Sequence, residues 1–438
     1  MQEPIEHRSL RLSQAVTISA QAIGEVIAGR SLTEVLDQLD PHEKPIVQSL
    51  TFDALRKWIR SHELIKEFIP KPPPPEVEYL LVVAISLLLA GNADKKGYAS
   101  HTTVDEAVKA CNEYEQTKYA KGLVNAVLRK ISLLVQSPKD GILFDPTLNP
   151  MFFPVWWQRN LKRNYPLTWQ SISIQQAQRS PLTLRVNLRQ ISRDKYQELL
   201  NEVGIQSETI DEIGGVPLEA ALCLGTPVPV SSLPGFYGGL ASVQDAGAQM
   251  AAVLLNPQPG ERILDACSAP GGKSAHLLEL ADIELLALDI DATRLGKIGG
   301  NLERMRLNSQ LVSIQHGDAS KADWWDGRLF DKILLDAPCS ASGIVGRHPD
   351  IPFLRRESDI KGLQDRQREL LQQAWRMLKP DGLLLYVTCS IFPQEGEDQA
   401  IWFEGRHSNV LRLRSPGQIT PTGTHDGFYY ALFKKNGT

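Results

Sequence analysis

Three things that this chain has little of bound its class. Its formal net charge is only −4 over 438 residues, which excludes a protein that coats nucleic acid along its whole surface, though it allows a local basic face. It has five cysteines, Cys111, Cys223, Cys267, Cys339 and Cys389. An odd set without any C-x-x-C pair excludes a disulfide framework and argues against bound zinc or any other metal. Free thiols in a reducing cytoplasm are expected instead. No apolar run approaches the ~20 residues of a membrane span. The longest, Leu80 to Ala90, is broken by Ser86 and reads as a buried helix. The opening MQEPIEHRSLRLSQ lacks the layout of a signal peptide, so a cytoplasmic protein without membrane attachment is expected. There are no internal repeats.

What is present divides into three textures, as expected for a chain longer than one core supports. Residues 1–140 read as a helical domain. Ala15, Ile18, Ala22, Ile23 and Val26, and later Val47, Leu50, Leu55 and Ile59, recur at helical spacing. KPPPPE at 71–76 separates two helices, Thr103 to Glu106 has the form of a capping box opening the next, and KGLVNAVLRKISLL closes the segment. Residues 141–235 read as a connector with a small α/β module. Phe152, Phe153, Trp156, Trp157, Tyr165 and Trp169 crowd its start. Arg159, Lys162, Arg163, Arg179, Arg185, Arg189, Arg193 and Lys195 face a single acidic residue, Asp194. TLRVNL alternates like a strand and DKYQELLNEVG follows as a helix. Residues 236–438 alternate strands (RILDAC, ELLALDI, LVSIQHGD, KILLDAPCS, LLLYVTCS) with helices, which predicts a doubly wound, mostly parallel α/β sheet of Rossmann-like type. Ligands in such folds sit beyond the C-terminal strand ends.

The informative residues fall at those ends. RILD runs into Ala266, Cys267, Ser268, Ala269, Pro270, Gly271, Gly272, Lys273 and Ser274, then a helix. Paired glycines at a strand-to-helix turn allow close backbone approach to a ligand, but the loop is neither a dinucleotide nor a P-loop fingerprint. Alone, such a turn is as readily structural. The next strand ends in Asp289, suited to both hydroxyls of a ribose, and the one after in Gly317-Asp318, suited to an adenine amino group. Strand-end aspartates are common singly; three strand ends in series point to an adenosine-containing ligand.

Asp336 and Cys339 follow the fourth strand and Cys389 the fifth. A free cysteine is usually a small buried apolar residue. Two of them at the edge that holds the ligand are hard to attribute to packing. Cytosine C5 is too electron-poor to take a methyl group until a nucleophile adds to C6, splitting one hard step into two. That nucleophile must be a thiolate. A carboxyl group such as Asp336 near N3 would stabilise the ring charge, and a base or water must then remove the C5 proton. The spacing leaves open which thiol attacks. N-methyltransfer needs neither.

DACSAPGGKS, LLDAPCSASGIVGRHPDI, YVTCSIFPQE and SVQDAGAQM resemble the motifs of bacterial 16S rRNA cytosine-5 methyltransferases. The helical segment with KGLVNAVLRK resembles their NusB-like RNA-binding domain, and DGFYYALFKK their C-terminal strands. The resemblance covers nearly the whole chain. It implies that Cys267, Ser268, Ala269, Pro270, Gly271, Gly272 and Lys273, with Asp289, Asp318 and Asp336, hold S-adenosylmethionine. It implies that Cys389 is the nucleophile and that Cys339 assists product release, whereas in DNA enzymes the cysteine of the Pro-Cys motif attacks. It further implies RNA, not DNA, as partner, with an unpaired or flipped cytosine in 16S rRNA, and a monomeric enzyme. Ser268, Ser274 and Gly346 depart from the family pattern, and Gly346 removes a second arginine that would contact RNA. Arg347 and His348, close to Cys339, are expected at the RNA, with Arg355 and Arg356 adding charge; Trp156 and Trp157 read more simply as connector core. Two rivals are the same chemistry on tRNA or large-subunit rRNA, and a non-enzymatic RNA-binding factor. The set Asp289, Asp318, Asp336, Cys339 and Cys389 speaks against the latter.

Overall fold

The computed structural model describes residues 10–91, 97–136 and 153–437, which cluster into two compact units. The first comprises Met1–Arg159, Leu167–Gln178 and His348–Arg355, and the second Asn160–Pro166, Arg179–Arg347 and Arg356–Thr438. Phe152 lies outside the described residues.

The first unit contains α1 (Leu12–Ile27), α2 (Leu32–Leu36), α3 (Lys44–Arg56), α4 (Trp58–Phe68), α5 (Pro75–Gly91), α6 (Ser100–Glu113) and α7 (Lys121–Gln136). Helix α5 is apolar on nearly all sides. Val77 and Leu80 through Ile85 are fully buried, and α1, α3, α4, α6 and α7 pack around it, so the Leu80–Ala90 run is a core helix. It starts at the last of the four prolines, where no N–H is needed. Thr103 does not open a helix. α6 begins at Ser100 behind Ala99, and Thr103 is buried inside it with its hydroxyl unpartnered. The stripe Val104, Ala107, Ala110 and Cys111 sets the buried face of that helix but not its first turn. The connector helices are α8 (Val155–Asn164) and α9 (Trp169–Ala177). Phe153 and Trp157 are buried and stacked at 5.4 Å, as a packing role requires.

The second unit holds two principal sheets. Strands β1 (Leu182–Val186), β2 (Ser207–Thr209), β5 (Ala221–Leu224) and β6 (Ala241–Val243) form an antiparallel sheet in the order β2-β5-β1-β6, with the short hairpin β3 (Glu212–Ile213) and β4 (Val216–Pro217) beside it in sequence. Helix α10 (Arg193–Glu202), capped by Ser192, buries Tyr196 and Leu200 against this sheet.

The larger sheet contains β7 (Arg262–Ala266), β8 (Glu284–Asp289), β9 (Val312–His316), β10 (Phe330–Asp336), β11 (Leu378–Thr388), β12 (Val410–Ile419) and β13 (Phe428–Lys435), in the order β12-β13-β11-β10-β7-β8-β9. The five strands from β11 to β9 are parallel, and β13 is antiparallel to β11 and β12. Helices α11 (Ala246–Leu255), α12 (Gly272–Leu280) and α13 (Ala292–Arg304) share one apolar layer with the sheet. After the short α14 (Ile351–Leu354), α15 (Glu357–Met377) and α16 (Glu397–Glu404) share the other. The sheet is therefore doubly wound, and the strand order reverses between β7 and β10, the place where such folds bind ligands. Helix α14 itself belongs to the helical unit. Asp350 accepts from the Leu32 N–H at 2.9 Å, and Phe353 meets Trp58 edge-on at 5.3 Å.

Several of the connector's basic residues are engaged within the protein. Arg189 pairs with Asp282 at 2.7 Å, Arg193 with Asp211 at 2.8 Å and Lys195 with Glu198 at 2.6 Å. Arg185, on β1, is completely buried. Its Nε and Nη2 donate to Glu279 of α12 at 2.9 and 2.7 Å, and Nη1 donates to the Gly272 carbonyl at 2.8 Å. This fork ties the small sheet to the helix behind the glycine loop. Removing the arginine strands a buried carboxylate, so Arg185→Ala is expected to lower the unfolding free energy by about 3–5 kcal/mol, measured by denaturant titration.

Candidate active site

The loop after β7 is shaped by what surrounds it. Gly271 has φ +92°, and a side chain there would press on Ile298 of α13, so glycine is required for both reasons. Helix α13 also holds the loop from outside. Arg294 donates to the Ala269 carbonyl at 2.6 Å and Asn301 to that of Pro270 at 2.9 Å. Ser268 donates through N–H and hydroxyl to the Leu288 carbonyl at 2.9 and 3.1 Å. The Ala269–Pro270 peptide is cis. Asp289, buried at the end of β8, accepts from the Ala269 N–H at 2.8 Å and the Asp291 N–H at 2.9 Å. Each of its oxygens keeps a lone pair for a further donor.

Beyond β8 and β9 opens a cleft of about 450 Å³ whose lining includes Ile290, His316, Gly317, Asp318, Lys321 and Trp324. Burial works against the charge of Asp318, but Ser320 and the guanidinium of Arg366 outweigh it and hold the carboxyl below its ordinary range.

Asp265, on β7, is fully buried. One oxygen accepts from the Ser274 hydroxyl, and the other, Oδ1, has no partner. Burial pushes its pKa up to about 7 despite the Ser274 bond. Cys267 is driven up further, first by burial and then by Asp336, Asp289 and Asp265. A thiol among three carboxylates stays protonated, so Cys267 is no nucleophile.

At the ends of β10 and β11 four predicted residues converge. Lys273 donates to Asp336 at 2.5 Å. Burial opposes the ammonium, and Asp336 overrides it, so Lys273 is held protonated; its charge is also coupled to Cys389. The sulfurs of Cys339 and Cys389 lie 3.3 Å apart. Cys339 is pushed well up, first by its bond to Cys389 and then by burial. Cys339 is therefore held as a thiol.

Arg347 is not available as expected. It lies between the buried carboxylates of Asp245, 2.7 Å away, and Asp426. Asp245 also caps α11 through the Gly247 N–H at 2.8 Å, so these residues fasten the loop of β10 to the chain before α11. Sequence reasoning gave no role to Asp265, Arg366 or Glu395. Glu395 stands inside the quoted motif YVTCSIFPQE, and a carboxylate so near a cysteine was the available signal. Arg366, one charge on an amphipathic helix, offers none.

Family comparisons agree across nearly the whole chain. Residues 252–434 match the 16S rRNA methyltransferase RsmB/F family, 153–231 its ferredoxin-like domain and 9–133 the NusB family. The ribosomal RNA small subunit methyltransferases B of Shewanella oneidensis and Vibrio cholerae are 40% and 38% identical, each over 95% of this chain and 98% and 96% of their own. The chain belongs to the RsmB/F methyltransferase family. It is accordingly an enzyme, an RNA methyltransferase dependent on S-adenosylmethionine. The solved structure of PH0851 superposes with a TM-score of 0.75 at 26% identity, covering 98% of this chain and all of that one. A methyltransferase homolog protein from Pyrococcus horikoshii gives 0.57 at 29%, covering 65% and 95%. The methyltransferase thus has a helical NusB domain, a ferredoxin-like middle domain and a doubly wound methyltransferase domain. Among its described residues no helix is long and apolar enough to cross a membrane.

Proposed function

We propose that this enzyme methylates C5 of one cytosine in 16S rRNA through a covalent bond between Cys389 and C6. The observation that carries this reading is the pair of sulfurs 3.3 Å apart beside the Lys273–Asp336 ion pair. Methyl transfer to nitrogen or oxygen uses no such pair. We place the domain boundaries at 1–140, 141–235 and 236–438. The protein acts in the cytoplasm as a monomer on RNA, not DNA, with the target base unpaired or flipped.

The residues fit S-adenosylmethionine. The loop Cys267–Lys273 would hold it together with Asp289, Asp318 and Asp336, the cleft beside Asp318 suits an adenine, and the unpartnered Asp265 oxygen suits an ammonium. When bound, it supplies a methyl group on a sulfonium. Everything else falls to the chain. Cys389 adds to C6 as a thiolate, with Lys273 as the nearby positive charge. The electron pair moves into the ring, where the Lys273–Asp336 pair meets the charge and the proton at N3. Once C5 carries the methyl group, its proton must leave and the C6–S bond must break. Cys339 hands its proton to the departing Cys389 sulfur and then takes the C5 proton, and one proton passes to solvent. The Cys339 thiol held protonated beside its partner supports this order of events.

Bisulfite mapping of rRNA from cells lacking the protein tests the target. One cytosine in 16S rRNA should lose its protection; loss in tRNA or large-subunit rRNA instead selects the rival substrate. Cofactor binding has its own expected signature. In the free protein Asp265 is partly neutral near pH 7, and a cationic ligand favours its carboxylate. Affinity for S-adenosylmethionine should therefore rise with pH through about 7 and level off above it, changing at most about tenfold per unit below. Asp265→Asn should weaken binding and flatten this dependence in calorimetry between pH 6 and 8.5.

A further inference from the structure

Each cysteine of the pair is followed directly by a serine, and both serines end on one carboxylate. Glu395 is fully buried. Its Oε1 accepts from the Ser340 N–H at 2.8 Å and from Gln367 of α15 at 3.3 Å. Its Oε2 accepts from the Ser340 hydroxyl and from that of Ser390 at 2.7 Å. Its carbonyl oxygen in turn accepts from the Tyr386 hydroxyl at 2.8 Å and the Thr388 hydroxyl at 3.2 Å, both on β11. Ser390 continues the network to Ser342 at 2.9 Å, and Ser342 accepts from the Ile391 N–H at 2.9 Å. These bonds to the carboxylate come from neutral donors, so the charge is stabilised by them rather than by a cation.

The geometry points to Glu395 as a positioning residue, whose carboxylate joins the two Cys-Ser turns and sets which sulfur is free to attack. This rests on Cys389 as nucleophile. A carboxylate that collects N–H and O–H donors from both turns fixes their separation in a way that no bond between the cysteines themselves does. Its negative charge is also among the causes that keep the Cys339 thiol protonated. Burial pushes the Glu395 carboxyl itself upward, and the serine and Gln367 donors counter that. Glu395 therefore holds both turns in place and favours a thiol at Cys339. This also gives serine a reason to follow each cysteine.

The test uses the full-length enzyme without RNA or cofactor, alkylated with limiting iodoacetamide and mapped by peptide mass spectrometry. Wild type should label Cys389 in preference to Cys339. Glu395→Gln keeps the volume and still accepts from the Ser340 N–H, but it removes the charge. It should lower the Cys389-to-Cys339 labelling ratio by about tenfold, the equivalent of one pKa unit. Glu395→Ala should lower the ratio as well and also reduce kcat at an unchanged KM for S-adenosylmethionine. Labelling ratios within twofold of wild type in a folded Glu395→Gln protein overturn the proposal; should the alanine variant fail to fold, the glutamine variant still decides. A wild type that labels Cys339 first refutes the assignment of the nucleophile, and the change of ratio in Glu395→Gln still decides the role of Glu395.

Discussion

Cys389→Ala is expected to abolish methyl transfer, by at least about 10⁴-fold in kcat, as loss of a covalent nucleophile does elsewhere. Cys339→Ala should behave differently, because it removes a proton carrier and not the attacking atom. The two outcomes separate cleanly on RNA carrying 5-fluorocytidine at the target, where fluorine replaces the proton that must leave. Wild type should form a protein–RNA adduct that survives denaturing gels. Cys389→Ala should form none. Cys339→Ala should form the adduct and, on unmodified RNA, should also accumulate it, since addition proceeds and elimination stalls. The geometry supports this division of labour: the sulfurs are 3.3 Å apart and Cys339 is held as a thiol. An adduct that disappears with Cys339→Ala and persists with Cys389→Ala would reverse the roles of the two residues.

Much of this arrangement was legible in the chain because strand ends are easy to find. β8, β10 and β11 read as short apolar runs followed by Asp289, Asp336 and Cys389, and a parallel sheet brings consecutive C-terminal ends to one edge whatever the helices do. The helical unit was legible for a similar reason, since α5 is too short and too interrupted to span a membrane and too apolar to lie on a surface. The resemblance, rather than physical reasoning, supplied the choice of substrate.

What was not legible depends on partners distant in sequence. Arg185 looked like one more basic residue of the connector. Its partner Glu279 lies 94 positions away, and no local pattern pairs a strand arginine with a helix glutamate on another domain's sheet. Arg347 was misassigned for the same reason: Asp245 and Asp426 lie 102 and 79 positions distant. A basic residue beside a catalytic loop has two uses, holding substrate or holding the loop, and only the location of acidic groups distinguishes them. The capping box at Thr103 failed locally. Neighbouring hydroxyls at Ser100, Thr102 and Thr103 allow several helix starts, and the chain begins its helix one turn earlier. Glu395 was in view but unassigned, because its role exists only once the Ser340 and Ser390 turns have been brought together.

The closest approach between backbones at the site gives the second large effect. Gly343 follows the Cys339 turn. Its N–H donates to the Cys389 carbonyl at 2.9 Å, and its own carbonyl accepts from the Gly427 N–H at 2.9 Å. Three chain segments thus meet at one residue: the turns that carry the two cysteines and the stretch before β13. A Cβ on Gly343 would lie 2.1 Å from the Gly427 carbonyl oxygen and 3.0 Å from that of Cys389. Both obstacles are backbone, so no rotamer change relieves them, and the segments must separate. Because the sulfurs need to meet adjacent atoms of one ring, a displacement of about 1 Å is enough to cost about 10²-fold in rate. We expect Gly343→Ala to lower kcat by at least that factor and stability by about 1–3 kcal/mol, with calorimetric affinity for S-adenosylmethionine little changed, because the cofactor loop lies on β7 and α12. Gly300→Ala serves as the control. It sits on an exposed turn of α13 with open space around it and should raise stability by up to about 1 kcal/mol, leaving activity as it was. Equal activity in the two alanine variants would show that the Cys339 and Cys389 turns tolerate separation, and with it that their 3.3 Å approach is not what the reaction uses.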